Sequence, residues 1–132
     1  MNAEELKVLS CAIGASIGVF IGGVNGIMYA LLVFISLDYL TGVAVAVKRK
    51  ALSSEVGFWG LIKKVGILAL VGVGNVIDVH ILGDGAVFRT AVIFFFIANE
   101  GISMLENFAN IGILVPDSLK DMLAQLKETK GK

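Results

Sequence analysis

Asp38, Asp78 and Glu100 lie inside stretches of this chain that are apolar and long enough to cross a bilayer. At bilayer depth an ionisable side chain costs about 2.5–3.5 kcal/mol on insertion scales, so it faces a partner helix, a water-filled cavity or another subunit. The chemistry open to such groups is ion pairing, proton exchange or the lining of an aqueous path. Nothing points to catalysis. His80 is the one histidine, Cys11 the one cysteine, and the chain has neither a glycine-rich phosphate loop after a strand nor a serine-nucleophile signature. A hydrolase built on Glu100 and Glu106 would need an aqueous pocket with substrate-binding groups, which the surrounding residues do not offer. No catalytic residue, metal site or cofactor is expected, and His80 reads as an ordinary interfacial histidine.

The elements that must position these carboxylates follow from composition. The chain has 132 residues, of which 57% are hydrophobic and 17% charged, and its mean hydropathy is +0.89. Residues 8–37 contain no Asp, Glu, Lys, Arg or His, a run longer than the roughly 20 residues one helix needs to cross hydrocarbon. Four apolar segments can be drawn, at about 6–24, 27–47, 65–83 and 86–106. The pattern predicts an all-α integral membrane protein, a single membrane domain over residues 1–132 built of helical hairpins with three or four spans. Formal net charge is zero, without the clustered surface base of a nucleic-acid binder. Seven residues that include Glu4, Glu5 and Lys7 precede the first uncharged run, so neither a signal peptide nor a lipoprotein box at Cys11 is expected.

The first segment carries Ser10, Gly14, Gly18, Gly22 and Gly26 at a spacing of four. Residues four apart share a helix face, so these small side chains predict a flat groove for helix association and hence a homo-oligomer. The turn residues Gly22-Gly23-Val24-Asn25-Gly26 could end this stripe in a hairpin. The connection 48–64 holds Lys48, Arg49, Lys50, Lys63 and Lys64 against the single Glu55, which predicts a cytoplasmic loop. Within it, Ser53 or Ser54 can cap an interfacial loop helix carrying Trp59.

Gly83-Asp84-Gly85 leaves room only for a tight turn between the third and fourth segments. Reflection about that turn brings Asp78 nearly level with Arg89, and Glu100 and Glu106 near the depths of Lys64 and Lys63, give or take a turn. An Asp78–Arg89 ion pair is therefore predicted, since two charges desolvated together offset part of their insertion cost. Asp38 has no mirror partner in the hairpins, which makes it the candidate for an intersubunit or water-facing role, the other reading being a buried hydrogen-bonded carboxyl. In the fourth segment Asn99, Ser103, Glu106, Asn107 and Asn110 recur at helical spacing, a face suited to lining a lesion or bonding a neighbouring subunit, or to a helix emerging into the cytoplasm. The tail 116–132 reads as a cytoplasmic amphipathic helix with Leu119, Met122, Leu123 and Leu126 on one face.

Three blocks carry a family resemblance: Asp38-Tyr39-Leu40-Thr41-Gly42; Leu52-Ser53-Ser54 with Gly57-Phe58-Trp59-Gly60-Leu61-Ile62-Lys63-Lys64; and Arg89-Thr90 with Phe96-Ile97-Ala98-Asn99-Glu100-Gly101-Ile102-Ser103-Met104-Leu105-Glu106-Asn107, followed by Val115-Pro116. Over about residues 36–126 the chain resembles the phage lysis and toxin-secretion holins of Gram-positive bacteria and their phages. The resemblance implies three spans and a protein of the bacterial cytoplasmic membrane that self-associates into lesions. An endolysin or toxin would pass through them without stable binding, so the partners are other copies and membrane lipid. Two other readings remain open on the residues: a small proton-coupled transporter using Glu100 or Asp38, and a membrane scaffold.

Overall fold

The computed structural model describes residues 1–130, and its regular elements there are all helical. They are α1 (Ala3–Ile21), α2 (Gly26–Lys48), α3 (Ser54–Val76) continued by a π-helical turn (Ile77–Ile81), α4 (Val87–Asn110) and α5 (Asp117–Lys130). Polar side chains start the first three. Asn2 and Glu5 form a reciprocal capping box, Asn25 accepts from the Met28 amide at 3.1 Å, and Ser53 accepts from the Val56 amide at 3.2 Å. The tail expected over 116–132 contains α5, and its last two residues lie outside the described residues.

Among the described residues three helices are long and apolar enough to cross a membrane: α2, α3 with its π turn, and α4. Sequence patterning left three or four spans open; α1, with Glu4, Glu5 and Lys7 in its first two turns, is not among the three. The separate loop helix is also corrected. From Ser54 to Val76 the backbone is one uninterrupted α-helix, because after the Ser53 cap no proline or terminating glycine stops it before the π turn. Lys63 and Lys64 thus belong to a spanning helix, and the basic connection shrinks to the residues between Lys48 and Ser54. This is called the basic end of the bundle below, and the Gly83–Gly85 turn marks the hairpin end.

Met28, Leu31 and Ile35 of α2 pack with Ile67 and Val71 of α3 and Ile93 and Ile97 of α4. α2 and α4 run together along their length, whereas α2 and α3 touch only locally and diverge toward the basic end. α5 folds back on α4 and sets Leu123 against Gly101. Much of the rest of the helical surface is apolar and exposed, including Leu40, Trp59, Val65, Leu70 and Phe88, as expected where the outer solvent is hydrocarbon.

At the hairpin end α3 and α4 approach unusually closely. A Cβ on Gly74 would lie 3.0 Å from the Arg89 nitrogen and 3.1 Å from the Phe88 carbonyl carbon. Backbone cannot yield as a side-chain tip can. Gly74→Ala is therefore expected to lower stability by about 1–3 kcal/mol. Gly66→Ala, with nothing within 4 Å of its Cβ position, should be near neutral. Thermal unfolding of the two variants in one detergent checks this, and equal melting would show that the contact is slack.

Candidate functional site

Two buried polar clusters sit in the bundle, one about midway along the three long helices and one at the hairpin end. The first is built across three helices. Lys64 of α3 donates from Nζ to Asp38 Oδ2 of α2 and to Glu100 Oε2 of α4. Asn107, two turns beyond Glu100 on α4, places Nδ2 3.1 Å from Asp38 Oδ1, 3.2 Å from the Asp38 carbonyl and 3.0 Å from Thr41 Oγ1. The Thr41 hydroxyl donates back to the Leu37 carbonyl at 2.7 Å. The side chains of Lys64, Asp38 and Glu100 are 16%, 10% and 10% exposed. Counted at formal charge, two carboxylates share one ammonium.

In this geometry Asp38 is a buried, hydrogen-bonded carboxyl, the second of its two readings. It has an internal partner after all, because α2 packs beside α4 and so comes within reach of the same lysine; reflection about the α3–α4 turn could not include a helix outside that hairpin. Glu100 meets Lys64, a residue that the reflection placed within about a turn of its depth without pairing the two. Lys63 and Glu106 do not meet and are both exposed, since one step along a helix turns a side chain by about 100°. Lys64, grouped in the sequence with interface cations, is an interior residue instead.

The second cluster tethers α1 and starts α4. The π turn, closed by the Leu82 amide on the Ile77 carbonyl at 2.9 Å, carries Asp78 toward the first turn of α4. Asp78 is 1% exposed. Its carboxylate accepts from the backbone amides of Phe88 at 3.0 Å and Arg89 at 2.9 Å, so it caps a helix whose own N-cap residue, Ala86, has no capping side chain.

The predicted Asp78–Arg89 ion pair is thus replaced by a bond to the Arg89 backbone. The guanidinium directs its donors to α1 instead. Its Nε donates to the Ile21 carbonyl at 2.6 Å and its Nη2 to the Gly23 carbonyl at 2.7 Å. The end of α1 has unsatisfied carbonyls and a partial negative charge, which suit a cation. Asn75 Nδ2 adds a bond to the Phe20 carbonyl at 3.1 Å. Gly22, at φ 84°, ends α1 in the left-handed conformation, and a Cβ there would fall 2.5 Å from Asn75 Oδ1.

That turn also divides the small-residue face. Ser10, Gly14 and Gly18 lie on α1, Gly22 is its left-handed cap, and Gly26 opens α2, so five residues cannot share one helical face. Of the fourth-segment polar residues, Asn107 enters the first cluster, Ser103 lines the cavity beside it, Asn99 is half-buried, and Glu106 is exposed. Lys48 donates to the Asn110 carbonyl at 2.9 Å and holds the end of α4; Arg49, Lys50 and Trp59 are exposed at or near the basic end. Sequence reasoning missed Thr41 and Asn75. The signal was present for Asn75, a lone amide in the apolar run Leu68–Ile77.

The cavity lies between α2 and α3 on the basic side of the first cluster. Its volume is about 250 Å³, with Asp38, Gly42, Ala46, Gly60, Lys64 and Asn107 among its walls. Among the described residues no group of histidines, cysteines and carboxylates could hold a metal. The arrangement can keep charges paired within one chain and, if α2, α3 and α4 separate, offer them to water.

Comparison with known proteins places this architecture. The model of the bacteriophage holin family matches residues 15–128, which extends toward the N-terminus well past the motif blocks. A probable holin of Bacillus phage phi105 is 39% identical over 123 residues, covering 93% of this chain and 84% of that protein. An uncharacterised protein of Listeria innocua is 42% identical over 118 residues, 89% of this chain and 84% of its own length. An uncharacterised 14.9 kDa protein of Clostridium perfringens is 46% identical over 104 residues, 78% of each chain. No solved structure matches. With a family match over most of its length and three membrane-length helices around a paired charge cluster, the chain belongs to the bacteriophage holin family.

Proposed function

We propose that this protein is a working holin, which accumulates in the bacterial cytoplasmic membrane and assembles with copies of itself into lesions that release an endolysin or a toxin. The observation that carries this reading is the Asp38–Lys64–Glu100–Asn107 cluster, satisfied inside one chain while most of the helical surface around it is apolar. Such a molecule can rest in a bilayer without conducting. When α2, α3 and α4 exchange neighbours, the same groups become tolerable by facing water across a ring of subunits. Asp38, Lys64, Glu100, Ser103 and Asn107 are the lining candidates. Asp78 and Arg89 hold the hairpin end together.

The basic end, with Lys48, Arg49 and Lys50, faces the cytoplasm by the positive-inside rule, which also puts the start of α5 there. From there α5 runs back along α4, with Leu123 against Gly101, and the hairpin turn faces outward. The partners are other copies and lipid; the endolysin or toxin passes without a docking surface.

Induced expression together with a cytoplasmic endolysin lacking its own export signal tests the reading. Abrupt lysis that needs both proteins, with collapse of membrane potential at the same moment, is the expected result. Continued growth despite verified insertion would favour instead a proton-coupled transporter working through Asp38 or Glu100. Gly18→Leu sharpens the test, since nothing lies within 4 Å of a Cβ built there. Within one chain this variant costs little, so delayed or lost lysis with normal insertion reports a contact outside the chain. Normal timing would remove α1 from the assembly.

A further inference from the structure

We infer that α1 of one copy docks in the cleft between α2 and α3 of a second copy, so that the chains join head to tail. The inference deepens the oligomeric reading above and rests on it. Two surfaces of this molecule lack an occupant. The first is α1, which touches its own bundle only near its C-terminal end, where Asn75 and Arg89 hold its backbone and the Phe20 ring lies against Gly72. From Leu6 to Ile17 its side chains are exposed, and the Cβ positions of Gly14 and Gly18 meet nothing within 4 Å. Past Lys7 the helix has no charged residue and no polar face with which to lie on a membrane surface. It needs an apolar neighbour.

The second surface is the cleft. Where α2 and α3 diverge, the cavity beside Asp38 and Lys64 has small walls, Gly42 and Ala46 on α2 and Gly57 and Gly60 on α3, and continues into an open apolar groove with Leu40, Leu52, Phe58 and Leu61. Small walls let another backbone approach closely.

Depth matches the two. The clasp sets Phe20 level with Gly72 and Asn75. If α1 stands upright in the shared bilayer, it climbs toward the hairpin end as α3 does, at the same rise per residue. Ser10 then comes level with Lys64, and Leu6 with Gly60. Small residues and leucines of α1 arrive where the cleft is small-walled and apolar. The charges also match, since Glu4 and Glu5 reach the end that carries Lys48, Arg49 and Lys50. A contact between two different surfaces of the same chain repeats from copy to copy, closing into a ring or extending into an array.

Leu6, level with Gly60, provides the probe once the one cysteine is removed by Cys11→Ser. Two differently tagged chains are co-expressed, one carrying Leu6→Cys with Cys11→Ser and the other Cys11→Ser with Gly60→Cys, whose new Cβ would sit at an ordinary 3.4 Å from Tyr39. Oxidation of the membranes is expected to give a disulfide-linked heterodimer several-fold more abundant than with Ile62→Cys, which is within a turn of Leu6 in level but 43% exposed outside the cleft. Gly42→Cys, on the opposite wall, should cross-link likewise and covers a failure of the first variant to fold. Equal yields from Ile62→Cys would overturn the docking. So would oligomers captured by an amine-reactive cross-linker without either cleft disulfide, which would leave self-association standing. Absence of oligomers by both methods would overturn the docking and the oligomeric reading together.

Discussion

Lys64→Met is expected to cost about 3–5 kcal/mol, because it leaves the Asp38 and Glu100 carboxylates facing each other in the bundle without their shared cation. The lysine is the hub, since it alone donates to both. Glu100→Gln behaves differently. It converts two carboxylates on one ammonium into a one-to-one pair, and the amide oxygen can still accept from Nζ, so its cost should stay within about 1 kcal/mol. Neutralising all three in one chain, Asp38→Asn with Lys64→Met and Glu100→Gln, should recover most of the loss, as replacement of whole buried ion clusters commonly does. Detergent-resistant folded fraction against temperature, with the amount retained in membranes, ranks the variants. A Glu100→Gln chain less stable than the Lys64→Met chain would show that the carboxylate, and not the ammonium, organises the cluster.

The second large effect belongs to Arg89, which is 4% exposed and fastens α1 by two hydrogen bonds to carbonyls on either side of Gly22. Bonds from a charged donor are worth about 1.5–3 kcal/mol each. Arg89→Gln therefore weakens this joint by about 3 kcal/mol, since one amide cannot replace the forked guanidinium at both oxygens. Arg89→Lys should recover only part, because an ammonium lacks the planar fork. The rest of the bundle keeps its own ties: the Asp78 carboxylate still accepts from the Phe88 and Arg89 amides, which are backbone groups that the substitution leaves in place. A spin label on Cys11 in detergent should thus gain mobility in Arg89→Gln with little change in a label at Val65→Cys made in a Cys11→Ser background. Unchanged motion at Cys11 would mean that Asn75 and the Phe20 ring hold α1 without the arginine.

Several features were readable because position along a helix converts directly into depth. Lipid leaves backbone groups no partner except each other, so the apolar runs had to be helices. The caps at Asn25 and Ser53 begin α2 and α3 where side chains able to bond a free amide first occur. Reflection about Gly83–Gly85 set Glu100 within about a turn of the level of Lys64 from residue numbers alone. Reflection gives level but not facing. It brought Asp78 to Arg89 and mistook which group of the arginine would answer, because the π turn points the carboxylate at the backbone of α4 while α1, a helix that the reflection ignores, takes the side chain.

By itself, then, the sequence determined a helical chain with membrane-length apolar segments, the approximate ends of most of them, the basic character of one end, and the approximate levels of Asp78, Arg89, Glu100 and Lys64 along the α3–α4 hairpin. Tertiary structure alone decided the rotation of each helix and its neighbours. That is why Asp38 joins Lys64, why α3 runs unbroken through Ser54–Val76, and why the small-residue face ends at Gly18. The physical reason lies in α2 and α3. They are apolar on nearly every face, so periodicity marks no buried stripe, and their orientation comes from close backbone approach at Gly74 and from a few polar bonds between residues far apart in the chain.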